Sequence, residues 1–489
     1  MKFILHSLIG EGSVRENLGR PDYSYSAVLK AYQLALMELG AVEWVRHPEI
    51  EVDPIFKSCA SHGEACVFLS FAPPHKTPFN LECPTVPVIA WGFGNIPDEV
   101  WDDDPRNDWR FVLGKFGRAI AMSGYAARAI TAALGPDFPV RAIAAPIAGR
   151  AIEQSTGASQ KSGSGNAALT IRGTVIDSRA MGLSVNLMGP PQRPPPSQVK
   201  PPPKPESRKP MPPPAATSDT ASQNIDTFPP ITLDRPVTEV PPEPEARVAV
   251  DGIIYTSVFD PVDIHTNWID MVTAFCWAFR DTDDATLILK MVHKDMVAYW
   301  SNLVEQLCRL SPFKCRVIAL HGYLEESEYE KLITATSYYV NASNCEGSCR
   351  PLMEFLASGR PAIAPAHTAM ADYIDDNIAF VLRASPELST WPHDPRGVFR
   401  TTHYRLDWES LLDAFRKSYR LAKDAPENYT AMAARARRKM RESYAIPVVR
   451  QQLRDFFKQS KLDVAAAGEI TVSNAAIVAS TDLIDQELK

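Results

Sequence analysis

Short apolar runs recur through the first 150 residues, at 2–6, 65–71, 86–91 and 118–123, and each lies close to Gly, Pro or Ser. Runs this short and nearly continuous are what strands buried on both faces look like. Ala65-Cys66-Val67-Phe68-Leu69-Ser70-Phe71 is one such run, and Val86-Pro87-Val88-Ile89-Ala90-Trp91 is another. Pro87 sits near the start of its run, where a ladder hydrogen bond is not yet needed. Between the runs, apolar positions fall at helical spacing over 24–39 and 108–116, and after them over 124–133. Strands alternating with helices define βαβ units and predict a parallel sheet.

The alternation resumes near residue 250. Gly252-Ile253-Ile254-Tyr255-Thr256 reads as a strand, and Asn267–Arg280 as a helix with Trp268, Met271, Val272 and Phe275 at helical spacing. Strands are expected at 285–292 and 316–321, a helix at 325–335, and a strand over Tyr338-Tyr339-Val340-Asn341. A turn, a helix at 351–358 and the strand Pro361-Ala362-Ile363-Ala364 follow. Residues 407–460 are helical and charged, and 461–489 read as a loosely held tail.

Residues 151–247 are a different material. Gly, Ser, Gln and Ala dominate first, then Pro, with runs such as Pro194-Pro195-Pro196 and Pro201-Pro202-Pro203. A polyproline II spacer rises ~3.1 Å per residue and offers few side chains to a core. The expectation is a largely disordered linker or insertion with one strand at Leu169-Thr170-Ile171; a PxxP-type docking site is the alternative. The chain is thus an α/β protein divided as 1–150, a Pro-rich segment at 151–247, 248–460 and a tail at 461–489. In doubly wound sheets ligands bind at the carboxyl ends of the strands, which directs attention to the loops there.

Composition narrows the function classes. A chain of 489 residues exceeds what one core usually supports, which agrees with two domains. A net charge of −7 argues against a nucleic-acid partner. None of the eight cysteines makes a CxxC pair, and no Cys/His set has zinc spacing, so no metal is expected. Cys345 and Cys349 are the closest pair and read as reduced thiols beside a site, with a disulfide or a metal as the alternatives. The Met1–His6 start lacks the long apolar stretch of a secretory signal, and no run approaches the ~18 apolar residues of a membrane span. A cytoplasmic location is the expectation.

The chemistry concentrates in Asn341–Pro365. Pro351 suits a first helical turn and Gly359-Arg360-Pro361 a helix stop. The amides of Gly347, Ser348 and Cys349 would then sit at the positive end of a short helix, an anion site. Glu346 lies before those amides, and Glu354 one turn into the helix, leaning back toward its start. Two acceptor-only carboxylates flanking a phosphate-sized gap suit hydroxyls on both sides of a diphosphate, as in a nucleoside diphosphate sugar. An acidic first helical turn in an ordinary α/β protein is the plain alternative.

The run Glu346-Gly347-Ser348-Cys349-Arg350-Pro351-Leu352-Met353-Glu354, with Ala357-Ser358-Gly359-Arg360-Pro361 after it, resembles the signature of the family 4 retaining glycosyltransferases (glycosyl transferases group 1), Glu-Gly-Phe-Gly-Leu-Pro-x-x-Glu followed by Ala-x-Gly-x-Pro. His321-Gly322-Tyr323-Leu324 and Asp372-Tyr373-Ile374 are also similar, as are Trp91, Trp101 and Ser123-Gly124-Tyr125 more loosely. The resemblance implies the GT-B fold, two Rossmann-like domains facing across a cleft, and transfer of a hexose with retention to a glycan or lipid-linked acceptor, without a metal or other cofactor. It implies that Glu346 holds donor-sugar hydroxyls as the catalytic carboxylate, that Glu354 holds the ribose, and that Gly347, Ser348 and Cys349 meet the diphosphate. It also suggests a setting in bacterial surface polysaccharide or glycoconjugate synthesis.

The chain departs from the family where basic side chains are usual. Ser257-Val258-Phe259 and Thr266-Asn267 stand in place of an Arg and a Lys, with His265, Lys290 and Arg350 as the available substitutes. The missing basic pair suggests one alternative, a nucleotide-sugar-binding scaffold without catalysis; a nucleotide-sugar epimerase on the same fold is another. On the acceptor side, Gly10 and Gly12 after the first strand and His75 are candidates, against an ordinary turn and a solvated loop histidine. Trp91 and Trp101 read as packing, and Asp102-Asp103-Asp104 as a solvated charge run. Arg435, Arg437, Arg438, Lys439 and Arg441 form a basic helix patch that could touch an anionic membrane, against a solvated helix face.

Overall fold

The computed structural model describes residues 1–10, 17–20, 22–147, 167–185, 245–460 and 462. Most of the Pro-rich segment and the expected tail therefore lie outside the described residues.

The first sheet is six-stranded and parallel, in the order β2-β1-β3-β4-β5-β6. Its strands are β1 (Lys2–Ser7), β2 (Ala41–Trp44), β3 (Cys66–Phe71), β4 (Thr85–Ile89), β5 (Ala119–Ala121) and β6 (Val140–Ala142). Every residue of β3, β4 and β5 is buried, which is why they read as unbroken apolar runs. The helices are α1 (Tyr23–Met37), α2 (Pro48–Ser61), α3 (Trp109–Phe116) and α4 (Gly124–Leu134). Asp108 caps α3 by accepting from Arg110 N–H, and left-handed Gly117 ends it. Ser123 caps α4 by accepting from Ala126 N–H. Sequence reading missed β2, β6 and α2. Only Pro48, Val52 and Cys59 of α2 are buried, so it carries little amphipathic signal.

The second sheet has the order β14-β13-β12-β9-β10-β11-β7-β8. Its parallel strands are β9 (Ile253–Phe259), β10 (Ala285–Met291), β11 (Arg316–Tyr323), β12 (Tyr338–Val340), β13 (Ala362–Pro365) and β14 (Ala379–Leu382). β7 (Ala167–Asp177) and β8 (Glu245–Val250) add an antiparallel edge. The strand expected at 169–171 is thus eleven residues long, and with β8 it carries parts of 151–247 into the second sheet. Leu169, Ile171, Val248 and Val250 bury into the same core as Ile318 and Leu320, apolar alternation too sparse to stand out beside the prolines.

Helices α5 (Trp268–Ala278), α6 (Val297–Leu310), α7 (Glu326–Ala335) and α8 (Arg350–Ala357) connect the parallel strands. A hairpin, β15 (Ala384–Thr390) and β16 (Arg400–Leu406), precedes α9 (Trp408–Asp424), α10 (Pro426–Tyr444) and α11 (Ile446–Gln459). The last helix crosses back to the first domain. Val449, Leu453, Phe456 and Phe457 join the core of Phe3, Leu5 and Tyr32, with the Phe3 and Phe457 rings 5.2 Å apart.

That crossing is testable. Phe457→Ala should cost about 3–5 kcal/mol, as fully buried Phe truncations do, read as a lower urea midpoint for the first domain.

Candidate functional site

Strand order reverses between β9 and β12, so the loops leaving their carboxyl ends, 260–267 and 341–349, flank the switch point where open α/β sheets bind ligands. The Asn341–Arg350 loop enters α8 through Cys349, which stands in the left-handed region at φ 54°. Pro351 lies in the first turn, as expected. Among the described residues, the amides of Gly347, Ser348 and Cys349 have no hydrogen-bond partner, while the Ser348 carbonyl accepts from Tyr373 Oη at 3.0 Å. Unpaired amides at a helix start favour an anion.

Glu346 is held firmly. Its Oε1 accepts from Asn341 Nδ2 at 3.0 Å and from Ser343 Oγ at 2.7 Å. Burial raises its carboxyl above the usual range, against the opposing pull of those two donors. Its amide donates to Thr368 Oγ1 at 3.1 Å and its carbonyl accepts from Ala369 N–H at 3.2 Å. Glu354 leans back toward the helix start. Oε1 accepts from Arg350 Nε at 2.7 Å and Oε2 from Tyr329 Oη at 3.0 Å. Each Glu354 oxygen keeps a second lone pair, so hydroxyls can still be accepted there.

The expected cations fare differently. Arg350 lies at the start of α8, but it is engaged by Glu354 and by the Ala27 carbonyl of the first domain at 2.9 Å. Lys290 is buried at the end of β10, with Nζ donating to the Met291 and Gly322 carbonyls at 2.9 and 2.5 Å. It stands two strands from the motif. His265 is at the site: its carbonyl accepts from Asn344 N–H at 2.8 Å, and its Nδ1 lies 3.1 Å from Asp263 Oδ1. Burial alone would raise the Asp263 carboxyl, but hydrogen bonds from His265 outweigh it and hold it below the usual range.

Of the acceptor-side candidates, Gly10 is exposed just after β1, and Gly12 lies outside the described residues. His75 is not a solvated loop residue. It packs face to face with Trp109, whose Nε1–H donates to His75 Nδ1 at 3.1 Å, and burial lowers its pKa to about 4. With Nδ1 accepting, the neutral ring carries its proton on Nε2, which argues against a basic role. The basic patch is partly tied down as well. Arg435 Nε donates to the Asn377 carbonyl at 2.9 Å, Lys439 pairs with Asp375 at 2.6 Å, and Arg437 reaches the Ser358 carbonyl at 3.4 Å.

The two domains meet at the motif through glycines. A Cβ on Gly92 would lie 2.8 Å from the Glu346 carbonyl carbon, and one on Gly347 would lie 3.0 Å from Trp91 N. A Cβ on Gly94 would lie 3.2 Å from Thr402, and one on Gly124 would lie 3.0 Å from Asp372 Oδ1. Asp372 Oδ2 accepts from Gly124 N–H at 2.7 Å, so a carboxylate of one domain caps α4 of the other. In this conformation the Glu346–Gly347 turn is covered by the end of β4. The β15–β16 hairpin spans the same seam. Its loop places Trp391 5.7 Å from Trp91 and 6.0 Å from Trp109, and Arg396 bonds Glu99 at 3.0 Å and lies 4.6 Å over Trp101. Asp394, buried in that loop, accepts from Arg396 and from the Val398 and Phe399 amides.

Asn341, Ser343, Thr368 and the hairpin are the parts of the site that sequence reading did not assign. Thr368 and the hairpin come from segments with no motif. Asn341 and Ser343 stood in the motif region, where only their hydroxyl and amide chemistry hinted at a carboxylate partner. All eight cysteines are free. Among the described residues no cluster could hold a metal, and no helix is long and apolar enough to cross a membrane. A cavity of about 450 Å³ at the β7–β8 edge, lined by Val175, Met181, Arg247 and Arg316, lies away from the motif.

This architecture is the GT-B fold, two Rossmann-like domains facing across a cleft. The structure is similar to a glycosyltransferase from Rickettsia africae, with a TM-score of 0.51 at 9% identity over 94% of this chain and 97% of that one. It also aligns with Anabaena HepE in complex with UDP and glucose, at 10% identity over 94% and 99% of the chains and a TM-score of 0.46. Staphylococcus aureus TarM aligns at 10% identity over 82% of this chain with a TM-score of 0.45, and the chain spans 58% of TarM's length. No family profile and no curated protein sequence matches the chain.

Two outcomes follow from the seam. Gly92→Ala places a methyl against main chain that cannot yield, so small-angle scattering should show a larger radius of gyration than wild type. Asp394, held at about 2 although burial alone would raise it, is stabilising while ionised. Its folded pKa lies below the unfolded value of about 3.9. The stability difference between wild type and Asp394→Asn, read from urea midpoints, should therefore be full above about pH 5 and shrink as the pH falls toward 2.

Proposed function

We propose that the chain is a glycosyltransferase that moves a hexose from a nucleoside diphosphate sugar to a glycan or lipid-linked acceptor, with retention, in the manner of family 4. The observation that carries this reading is the placement of Glu346 and Glu354 on either side of the unpaired amides of Gly347, Ser348 and Cys349, at the switch point of the second sheet. The amides would receive the diphosphate, Glu346 the sugar hydroxyls and Glu354 the ribose. The GT-B fold shared with the Rickettsia africae glycosyltransferase is consistent with it. A setting in surface polysaccharide or glycoconjugate synthesis belongs to the same proposal.

The chemistry needs positive charge beside the diphosphate, where negative charge develops as it leaves, because preorganised donors are usually the largest catalytic contribution. Arg350 is the cation best placed. It must exchange the Ala27 carbonyl or Glu354 for a phosphate oxygen, and parting of the domains breaks the first of these contacts. Donor entry thus couples to opening of the seam, and closure returns the end of β4 over the bound sugar. His265, steadied by Asp263, stands beside the motif through its main-chain bond to Asn344.

A second reading, a nucleotide-sugar-binding scaffold without catalysis, draws on the covered Glu346–Gly347 turn and on the burial of Lys290 against main-chain carbonyls.

Wild type should show a raised melting temperature with one member of a panel of UDP-glucose, GDP-mannose, ADP-glucose and dTDP-glucose. Glu346→Gln and Glu354→Ala should lose donor turnover with the fold retained by circular dichroism. Full turnover in both variants would sink the assignment, and binding without hydrolysis or transfer over a broad acceptor panel would favour the scaffold.

A further inference from the structure

Glu346 is fixed by its main chain as well as by its carboxylate, and the fixing comes from the loop after β13. Thr368 Oγ1 accepts the Glu346 amide at 3.1 Å, and Ala369 N–H donates to the Glu346 carbonyl at 3.2 Å. The peptide groups on both sides of Glu346 therefore hang from two consecutive residues of another loop. Thr368 is 1% exposed, so its hydroxyl has no water to exchange with.

Thr368 adopts φ 49°, in the left-handed region. A β-branched residue there is a genuine outlier, and such strain persists only where the surroundings over-determine it. Glycine would take this conformation freely but would offer no hydroxyl. A threonine that accepts the strain and buries its oxygen on one amide is placed for that hydrogen bond. His367 completes the arrangement. It stacks on Tyr404 with ring centroids 4.4 Å apart, and its Nδ1 lies 3.2 Å from Thr368 Oγ1. Burial keeps the ring neutral, with a pKa lowered to about 4, so Nδ1 can accept the threonine proton. The hydroxyl accepts from the Glu346 amide and has His367 Nδ1 as its second hydrogen-bonding neighbour.

We infer that Thr368 is a positioning residue that sets the attitude of Glu346 toward the donor sugar. The inference rests on the proposed function, because it needs Glu346 to touch that sugar. Thr368 contacts Glu346 before the Gly347–Cys349 amides, so it governs the sugar contact and leaves the diphosphate contact alone. A merely structural role would weaken both together.

The test uses the full chain, the nucleotide sugar that binds best in the panel above, and its free nucleoside diphosphate, with affinities measured by calorimetry. Thr368→Val keeps the shape and removes the hydroxyl, and Thr368→Ser keeps the hydroxyl and removes the branching methyl. Thr368→Val should weaken the nucleotide sugar by roughly 10-fold, the scale of one lost charge-assisted contact, while the free diphosphate binds as in wild type. Thr368→Ser should restore the sugar contact. In a Glu346→Gln background, Thr368→Val should add no further loss. Equal weakening of both ligands, no rescue by serine, or the same loss in both backgrounds would each overturn the positioning role. If no nucleotide sugar of the panel binds wild type, or if Glu346→Gln alone binds it normally, the proposed function falls instead.

Discussion

The end of β4 and the Glu346–Gly347 turn approach each other backbone to backbone, and the arrangement of the site depends on that contact. Glycine on both sides makes it possible, since a Cβ at Gly92 or Gly347 would lie within about 3 Å of opposing main chain. Main-chain contacts cannot be relieved by a rotamer change, so whatever enters the site must separate the domains as bodies. The other seam contacts respond to the same separation. Asp372 on the Gly124 amide, Arg350 on the Ala27 carbonyl and the Trp391 loop on Trp91 and Trp109 all break or loosen with it.

Around the turn, the second domain accepts strain. Asn267, Cys349 and Thr368 are non-glycine residues with φ of 51°, 54° and 49°, and each stands at or next to the start of a helix or 3-10 turn on the carboxyl edge of the sheet. Such conformations cost on the order of 1–3 kcal/mol each and cluster where geometry matters. At Cys349 the left-handed cap turns the chain into α8. At Thr368 it aims a buried hydroxyl at Glu346. Beside these, the Arg350–Glu354–Tyr329 set keeps a carboxylate and a guanidinium paired inside one helix and its neighbour.

The sequence carried most of the parallel strands because burial on both faces leaves nearly continuous apolar runs, as in β3, β9 and β10, while the short β2, β6 and β14 escaped it. It carried the motif because Pro351 and Gly359 punctuate a short helix whatever surrounds it. It did not carry α2, whose first-turn Glu49 and Glu51 and internal Pro54 blur its periodicity. Nor did it carry the β15–β16 hairpin: 384–390 is largely exposed, and the burial of Trp391 exists only because the first domain is there to receive it. His75 shows the same limit in reverse. A loop histidine between prolines and a lysine looks solvated, yet the Trp109 indole claims its nitrogen across 34 positions of chain. Thr368 was illegible for a related reason, because neither its φ nor its partner is a local property.

The chain crosses the seam more than once, and this shapes how it can open. The main chain passes from first to second domain after β6 and returns through α10 into α11, where Ile147 bridges Ala445 and Tyr444 O accepts from Ile147 N–H at 2.9 Å. That bridge and the burial of Phe456 and Phe457 under the first sheet place a double connection on one side of the molecule. The Trp391 loop, held by Arg396 on Glu99 and Trp101, is a separate attachment from the second domain and has no covalent link behind it. Opening that preserved the α11 packing, with its several large buried side chains, would release the hairpin first. The exposed rims of Arg396 and Glu99 make its ion pair worth little on their own, so the apolar fit of Trp391 is what the hairpin must give up. On the proposed function, a donor whose binding favours the closed form would be held in part by the return of Trp391 to its cluster.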